Sequence, residues 1–234
     1  MKVGLIQSNY IPWRGYFDFI DDVDLFIFYD DVQFTKNDWR NRNKIKTPFG
    51  KKWLTVPVNQ KSLKQLISDT NIDITHDWVS MHINQFTESY KTTPFFSDAL
   101  GFLELLKQNK PSTISELNRY LIDEITQYFG IKTPMEVSWK YSPQSTKTER
   151  IIDILQKVDA TAYLSGPNAD SYLDKDLFRE RNIRLEYKSY SYEPYSQPWG
   201  DFIGDVTILD LIANCGPNAR KFLKSTIPNQ VIIP

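Results

Sequence analysis

The sequence predicts an α/β protein with a Rossmann-like, mostly parallel sheet and a helical middle segment. Short apolar runs at Val3–Ser8 and Leu25–Tyr29 flank a helical pattern, and the helical period takes over at about residues 76–130. Alternation of strand and helix patterns then returns, and a strand, a crossover helix and a strand form the unit of a parallel sheet. We therefore expect a single α/β domain over residues 1–234.

The first third of the chain predicts a strand, a helix, a second strand and a hairpin. Pro12 suits the start of a helix over Trp13–Asp21, because proline has no N–H to leave unbonded in the first turn. Further on, Asn41–Lys46 and Trp53–Val58 are expected to be extended. Pro48-Phe49-Gly50 between them has the composition of a turn.

The middle segment has the periodicity of helices. One helical face collects seven residues at i, i+3, i+4 and i+7 spacing: Trp78, Met81, His82, Gln85, Phe86, Ser89 and Tyr90. A second helix is predicted over Phe95–Leu106 and a third over Thr113–Phe129, where Gly130 is a typical C-terminal stop.

The last part of the chain predicts alternating strands and helices. Thr146 to Glu149 has the spacing of a capping box at a helix start. The expected elements are a strand at Met135–Lys140, a helix at Thr146–Val158, a strand at Ala160–Ser165, a helical stretch from Gly166 through Leu177, a strand at Arg184–Tyr190 and a helix at Ile208–Asn214.

Composition excludes several classes of function. Lys and Arg number 28 against 29 Asp and Glu, so the chain is not a general polyanion binder. One cysteine, Cys215, and two histidines argue against a disulfide and against a Cys- or His-rich metal site, so we expect no metal. Neither a signal peptide nor an apolar run of about 20 residues is present, and we expect a cytoplasmic protein without a membrane span.

Polar residues gather where the first two predicted strands end. Gln7, Asn9 and Tyr10 follow the first strand, whereas Asp30 and Gln33 follow the second. Ligands of open parallel sheets bind beyond the carboxyl ends of the strands. The sequence therefore predicts one crevice lined by these side chains.

Three titratable residues are candidates for proton transfer. Asp30 and Asp31 could bind a sugar hydroxyl or a cation or could deprotonate an amine, although an Asp pair is also common in turns. His82 lies on an apolar helix face, where it is either a hydrogen-bonded core residue or a general base. We assign all three to the candidate catalytic set.

Basic residues near the predicted hairpin are candidates for binding an anion. Arg40, Arg42 and Lys44 are two positions apart and share one face of an extended segment, with Asn43 on the other. A solvated edge strand protected by charge would have the same pattern. Arg14 lies in the first turn after Pro12, where free N–H groups favour an anion.

A turn after a later strand has the composition of a ligand-binding turn. Ser165 ends the strand and Gly166 permits close approach of the backbone to a ligand. An ordinary connection between strand and helix would look the same. Cys215 follows an apolar helix, and we expect it to be buried and away from the site.

Several motifs taken together resemble the WbqC-like protein family of bacterial polysaccharide gene clusters. The resemblance spans nearly the whole chain, but Ile6 stands where the family often carries a histidine. The motifs are Gln7-x-Asn9-Tyr10-x-Pro12-Trp13-x-Gly15-Tyr16-Phe17, Asp30-Asp31-Val32-Gln33-Phe34, Asn41-Arg42-Asn43-Lys44-Ile45-Lys46, Trp53-Leu54-Thr55-Val56-Pro57-Val58, His82, Leu164-Ser165-Gly166-Pro167, Ile208-Leu209-Asp210-Leu211 and Asn214-x-Gly216.

The resemblance implies modification of an amino sugar in O-antigen or capsule biosynthesis. The expected reaction is transfer of an acyl or aminoacyl group, such as glycyl, to the amine of a nucleotide-linked amino sugar. The cofactor is unknown; an acyl thioester, an aminoacyl donor or ATP would supply the activation. Nucleic acid is expected only as an aminoacyl-tRNA donor, and the oligomeric state is left open. The alternative is a non-catalytic module that binds a sugar nucleotide or docks on a partner.

Each candidate residue then has an expected role. Asp30 or Asp31 would accept the proton of the amine, and Arg40 and Arg42 would hold phosphates. The sugar would be oriented by Gln7, Asn9 and Tyr10. We expect one pocket to collect Gln7, Asn9, Asp30, Gln33, Arg42 and Ser165, with Arg40 nearby but more exposed.

Overall fold

The structure is a computed structural model that describes residues 1–234. Six of its strands form one sheet, and two pairs of short strands lie outside it. The strands are β1 (Lys2–Ile6), β2 (Leu25–Phe28), β3 (Arg42–Thr47), β4 (Gly50–Thr55), β5 (Val58–Asn59), β6 (Asn71–Ile72), β7 (Met135–Val137), β8 (Ala162–Ser165), β9 (Arg184–Tyr187) and β10 (Gln230–Ile233).

Seven α-helices accompany these strands. They are α1 (Arg14–Ile20), α2 (Trp78–Tyr90), α3 (Phe96–Gln108), α4 (Ile114–Tyr128), α5 (Lys147–Lys157), α6 (Lys175–Glu180) and α7 (Ile208–Cys215). None of them is both long enough and apolar enough to cross a bilayer.

The strand order of the large sheet reverses beside β1. The order is β10-β9-β8-β1-β2-β7, and every pair is parallel except β9 with β10. The chain first runs outward from β1 through β2 to β7 and then returns to the other side of β1 as β8. A reversal between β1 and β8 leaves a crevice beyond their carboxyl ends, because the connections leave in opposite directions.

Helices cover both faces of the sheet, and each face has its own core. Phe26 and Phe28 of β2 pack with α1 and the middle helices. Leu25 and Ile27, which alternate with them, pack with α5 and α6 on the other face. The predicted α/β class, the mostly parallel sheet and the helical middle segment are confirmed, whereas the Rossmann-like grouping stays a prediction.

Helix α1 is buried along its whole length because it lies between the sheet and the middle helices. Gly4 of β1 allows this close packing: a Cβ there would lie 2.3 Å from Cε1 of Phe19. The helix begins at Arg14, with Trp13 as its N-cap and Pro12 just outside. Its position places Trp13 and Tyr16 next to the end of β1.

Two helix starts differ in how they are capped. Thr113 and Glu116 form a capping box at α4, as each side chain bonds to the other's backbone N–H. The box predicted at Thr146 is wrong, since the Thr146 side chain makes no capping bond. Lys147 has a φ of +52°, so the backbone directly after the threonine departs from the helical conformation that a cap requires.

The remaining differences concern strand ends and short strands. The strand predicted over Met135–Lys140 ends at Val137 and continues as a 3₁₀ turn over Ser138–Tyr141. The hairpin itself is confirmed, but its second strand is Gly50–Thr55 instead of Trp53–Val58, because Gly50 pairs with Thr47 and leaves only Pro48 and Phe49 in the turn. Strands β5, β6 and β10 had no pattern strong enough to predict them, because β5 and β6 are two residues long and β10 is an antiparallel edge strand.

Candidate functional site

A crevice of about 770 Å³ opens beyond the carboxyl ends of four neighbouring strands. Gln7 and Asn9 follow β1, Tyr29 follows β2, Ser165 ends β8 and Tyr190 follows β9, and all five line it. This volume is within the range of ligand pockets. The crevice therefore lies at the reversal of strand order, where the topology predicts a site; we call it the switch-point crevice.

Six aromatic residues are part of its lining. Trp13 stands against Tyr190 with a ring-centroid distance of 5.2 Å, and Tyr16 donates a hydrogen bond to the Gln7 carbonyl at 3.1 Å. Rings at these positions can stack on a planar group of a ligand. The aromatic lining residues are Trp13, Tyr16, Tyr29, Tyr163, Tyr172 and Tyr190.

The tyrosines of the switch-point crevice are hydroxyl donors rather than bases. Burial raises the pKa of Tyr16, Tyr29, Tyr163, Tyr172 and Tyr190 above the ordinary value for a phenol. Each hydroxyl therefore keeps its proton at neutral pH. Such groups recognise oxygen acceptors on sugars or phosphates but do not abstract a proton.

Arg40 supplies the only charge among the residues that line the switch-point crevice. Its Nη1 donates to Asn9 Oδ1 at 2.5 Å, and its Nη2 lies 3.3 Å from a carboxylate oxygen of Asp38. The expectation that Arg40 is nearby is confirmed, but it lines the crevice directly. A guanidinium at the mouth of an aromatic crevice suits a phosphate or carboxylate.

The turn after β8 is another part of the lining. Ser165 and Gly166 both line the switch-point crevice, followed by Pro167 and Asn168 at the start of a 3₁₀ turn. A Cβ on Gly166 would meet no atom within 4 Å, so the absent side chain leaves open space for a ligand. The expectation that Ser165 reaches the same pocket as Gln7 and Asn9 is confirmed.

Asp30 does not reach the switch-point crevice, so its expected convergence there is wrong. The carboxylate is fully buried. It accepts from the Ser8 N–H at 2.7 Å and from the Ser115 hydroxyl at 2.5 Å. Burial raises the pKa of Asp30, although these bonds oppose the shift. Its charge also raises the pKa of Tyr16, which places it just behind the crevice wall. Asp30 holds the backbone between Gln7 and Asn9 in position.

Asp31 is likewise engaged elsewhere. Its carboxylate lies 2.5 Å from Arg150 Nη2 and accepts a short hydrogen bond from the Ser138 hydroxyl. These contacts join the end of β2 to α5 and to the 3₁₀ turn after β7. Asp31 is absent from the lining of the switch-point crevice. Both oxygens of this carboxylate are therefore held by scaffold side chains.

Tyr10 and His82 form a buried pair behind the site. The Tyr10 hydroxyl lies 2.9 Å from His82 Nδ1, and His82 Nε2 lies 3.2 Å from the Thr55 carbonyl oxygen. Burial lowers the pKa of His82 to about 4. The structure thus supports the interpretation of His82 as a hydrogen-bonded core residue. Tyr10 is fully buried as well, so it cannot contact a ligand in the crevice.

Arg14 does not form an anion site at the start of α1. Its guanidinium donates to the carbonyl oxygens of Glu193 and Phe222 at 2.7 and 3.2 Å. The ring of Tyr192 lies 4.6 Å from its Cζ. These partners tie the helix start to two later segments, and the expected ligand contact is wrong for Arg14.

The hairpin residues separate according to the pleat of β3. Asn43 faces inward and donates to the Tyr10 and Ile11 carbonyls at 3.1 and 2.7 Å. Arg42 and Lys44 face outward over Trp53, at 4.1 and 5.0 Å from its ring centroid. The shared face is confirmed for Arg42 and Lys44 but not for Arg40, which precedes β3 and contacts Asn9. However, Arg42 does not reach the switch-point crevice, because the hairpin directs it away.

Two further expectations differ from the structure. Gln33 is exposed and bridges to Leu66 through the backbone, away from the switch-point crevice. Cys215 is half-buried instead of fully buried, and burial together with the Asp210 charge raises the pKa of its thiol to about 11. It does not line the switch-point crevice, as expected.

The crevice residues missed from the sequence are mainly aromatic. By pattern alone, Trp13, Tyr29 and Tyr190 look like ordinary core residues. Their position directly after a strand or before a helix could have identified them, because the chain reaches the carboxyl edge of the sheet there. The aromatic richness of the chain, with 13 Tyr and 6 Trp, hid that signal.

Asp210 in the motif Ile208-Leu209-Asp210-Leu211 has a structural role. Its buried carboxylate accepts from the hydroxyls of Tyr90 and Tyr195 at 2.6 and 2.7 Å and from Gln197 Nε2 at 2.7 Å. It links α7 to α2 and to the segment after β9. Burial raises the pKa of this carboxyl group, and the three donors oppose that shift.

Comparison with known proteins agrees with the resemblance seen in the motifs. The model of the WbqC-like protein family matches residues 7–222. An uncharacterized protein of Mycobacterium tuberculosis (strain ATCC 25618 / H37Rv), Rv1507c, is 45% identical over 226 residues, which cover 95% of this chain and 97% of the relative. No solved structure matches. The chain therefore belongs to the WbqC-like protein family.

Proposed function

We propose that the switch-point crevice binds a nucleotide-linked amino sugar and that the protein transfers an acyl or aminoacyl group, such as glycyl, to its amine. The observation that carries the proposal is the convergence of six aromatic rings, three side-chain amides and one guanidinium at the reversal of strand order. A base or sugar can lie on the rings, and a phosphate can pair with Arg40. The setting we propose is O-antigen or capsule biosynthesis in the cytoplasm.

The strand-order reversal supports grouping the sheet with Rossmann-like folds. In such sheets a phosphate lies between the ends of two adjacent strands whose connections diverge. Here β1 and β8 are those strands, and Gly166 leaves open space on one side. We therefore propose that the sugar nucleotide lies across Asn9 and Gly166, with its phosphates toward Arg40.

The chemistry we propose depends on positioning instead of a protein carboxylate base. In amide formation the amine nitrogen attacks the acyl carbon, the bond from that carbon to the leaving group breaks, and the amine loses a proton. Asp30 and Asp31 are engaged behind the crevice, so the proton passes to water. Holding two reactants in contact can lower a barrier by several kcal/mol, roughly 7 to 11 in the best oriented systems.

A mass-spectrometric panel tests this function. The protein is incubated with UDP-glucosamine or a dTDP-linked 4-amino sugar together with an acyl thioester, or with an amino acid and ATP. We expect one combination to increase the mass of the sugar nucleotide by that of the corresponding acid or amino acid minus one water. The Arg40→Gln variant should lose that product, whereas Arg179→Gln should keep it, because Arg179 is paired with Asp176 far from the crevice residues in an exposed helix.

A second candidate function is a non-catalytic module that binds a sugar nucleotide. The observation that favours it is the chemistry of the lining: among the residues around the switch-point crevice there is no carboxylate, imidazole or thiol. Two results together would favour the module over the transferase. UDP-glucosamine would bind with an affinity that Arg40→Gln weakens, and no product would form across the whole panel.

A further inference from the structure

A second, smaller cavity adjoins the switch-point crevice. It has a volume of about 220 Å³ and is lined by Asn9, Pro12, Trp13, Trp39, Asn43 and Asp205. Two indole rings, Trp13 and Trp39, give it apolar walls. Its volume equals that of roughly seven water molecules in the liquid, enough for a short acyl or aminoacyl group. We call it the indole cavity.

The two cavities share two residues. Asn9 and Trp13 line both the indole cavity and the switch-point crevice. The absence of a side chain at Gly15 makes room for the Trp13 ring in this position, since a Cβ there would lie 2.4 Å from Trp13 Cζ2. A molecule in one cavity can therefore meet a molecule in the other only at the side chains of Asn9 and Trp13.

Arg40 sets the orientation of the Asn9 amide at this junction. A guanidinium can only donate hydrogen bonds, so the atom 2.5 Å from Arg40 Nη1 must be the carbonyl oxygen of the amide. The Asn9 –NH2 group is then the donor end that remains for a ligand. Its contact with a cation also withdraws electron density from the amide, which makes that –NH2 a stronger donor.

Cationic side chains lie next to residues that line the indole cavity. Lys44 and Lys51 both pair with Asp205, at 3.0 and 2.8 Å. Arg42 stacks on Trp53, and its Nε is buried without a hydrogen-bond partner. These three cations outnumber Asp205, the one carboxylate in the lining of the cavity, so they favour a phosphorylated group.

We propose that the indole cavity binds the acyl group of the donor, activated as a thioester or ester on a phosphorylated leaving group, and that the Asn9 –NH2 donates to the acyl carbonyl oxygen. The inference rests on the proposed function, because it assigns the second substrate of that transfer. The amino sugar approaches from the switch-point crevice, and the leaving group extends over Arg42 and Lys44.

The transfer step balances without a further reactant. The amine nitrogen forms a bond to the acyl carbon, and the carbonyl electron pair moves onto the oxygen that Asn9 contacts. When that pair returns, the carbon–sulfur or carbon–oxygen bond breaks, and the leaving group departs with its electrons. Water carries the amine proton to the departing thiolate or alkoxide. A side-chain amide suits the transient negative oxygen, because donors of this kind stabilise such charge in acyl transfer.

Binding measurements with two probes test the indole cavity. Acetyl-coenzyme A represents a thioester donor and 3′-deoxy-3′-(glycylamino)adenosine 5′-phosphate, a stable amide analogue, represents an aminoacyl ester donor, and the two arms distinguish the sources. We expect at least one to bind, and Trp39→Ala to weaken that binding tenfold or more. Trp139→Ala is the matched control, because both tryptophans are 38% exposed and Trp139 lies outside both cavities. This control should stay within twofold of the parent protein.

Isotope-edited infrared spectroscopy tests the role of Asn9 without any turnover. With a carbonyl-¹³C version of the probe that binds, we expect the bound C=O stretch to lie at lower frequency than in water and to lose that shift in Asn9→Ala. The Asn9→Asp variant keeps the pairing with Arg40 but has no N–H to donate, so it should lose the shift as well. It also serves if the alanine variant is poorly folded.

The outcomes separate this inference from the proposed function. Any of three results would overturn the donor site. Both probes fail to bind, Trp39→Ala leaves probe binding unchanged, or neither Asn9 variant alters the carbonyl frequency. Binding of UDP-glucosamine can still succeed in each of these cases, since it depends on the switch-point crevice. Conversely, probe binding that needs Trp39 in a protein that binds no sugar nucleotide would support the donor site and contradict the proposed acceptor.

Discussion

Arg40 Nη1 lies 2.5 Å from Asn9 Oδ1 and connects the segment before the β3–β4 hairpin to the end of β1. The contact places the only charge of the switch-point crevice at the mouth that Asn9 and Trp13 share with the indole cavity. The proposed acceptor and donor sites meet at this pair. Its removal should therefore affect ligand binding more than folding.

Replacement of Arg40 by glutamine should weaken the binding of UDP-glucosamine by about tenfold or more. Hydrogen bonds to charged groups contribute roughly 1.5–3 kcal/mol, and that of the guanidinium with a phosphate would be lost. Titration calorimetry at low and high salt measures the effect, and the parent protein should show the stronger salt dependence. Equal affinities for Arg40→Gln, Arg179→Gln and the parent protein would remove Arg40 from the site.

Replacement of Gly15 by alanine should displace the Trp13 ring. The new Cβ would lie 2.4 Å from Trp13 Cζ2, so the indole must move away from Tyr190. We expect a loss of about 1–3 kcal/mol in unfolding free energy, as for other overpacked sites, together with weaker ligand binding. Gly101→Ala is the control, because a Cβ at this position in α3 meets nothing within 4 Å and alanine favours the helix. If urea unfolding shows that Gly15→Ala and Gly101→Ala are both at least as stable as the parent protein, the close packing of Trp13 on Gly15 is contradicted.

Asp30→Asn should leave the protein folded and functional. The amide oxygen can still accept from the Ser8 N–H, and the amide –NH2 can donate to the Ser115 hydroxyl, which rotates. Asp30→Ala leaves both donors without a partner in a buried site and should cost about 2–4 kcal/mol of unfolding free energy. A folded Asp30→Asn protein with parental substrate binding but no turnover would restore the role of Asp30 as a base.

His82 should make the protein less stable as the pH falls from about 6.5 to 4. Burial lowers the pKa of His82 in the folded protein to about 4, from an ordinary value of 6.5. Within that window the unfolded chain binds a proton that the folded protein does not, so stability is complete above pH 6.5 and decreases below it. The loss approaches about 3 kcal/mol, at roughly 1.4 kcal/mol per pKa unit. Unfolding curves of His82→Gln should show a smaller change over the same range, and identical slopes would contradict the burial of a neutral imidazole.

The layout of the sheet was predictable from the sequence. Which polar residues line the crevice, and which ones hold the backbone behind it, was not. The patterns at Val3–Ser8 and Leu25–Tyr29 predict buried strands, because short, mostly apolar runs are typical of strands covered on both faces. The ends of these strands give the location of the crevice. The same reasoning placed Gln7, Asn9 and Ser165 correctly. It also placed Asp30 in the crevice, although a carboxylate after a strand can turn inward when backbone N–H groups and a hydroxyl are available.

Residue spacing also failed where the partner is far away in sequence. The Asp30 carboxylate is held by Ser115, 85 positions later, and the Arg14 guanidinium by the carbonyls of Glu193 and Phe222. Period and propensity describe neighbours along the chain, so they carry no information on such contacts. Arg42 illustrates the same point, because only the position of the hairpin decides whether its outward face reaches the crevice.

Fluorine NMR of the protein labelled with 5-fluorotryptophan tests the central claim most directly. The six tryptophans give six resonances, which single Trp→Phe variants assign. On addition of UDP-glucosamine, we predict that the Trp13 resonance shifts with saturation while those of Trp139 and Trp199, which line neither cavity, stay in place. A saturable shift confined to tryptophans other than Trp13 would contradict a ligand site in the switch-point crevice.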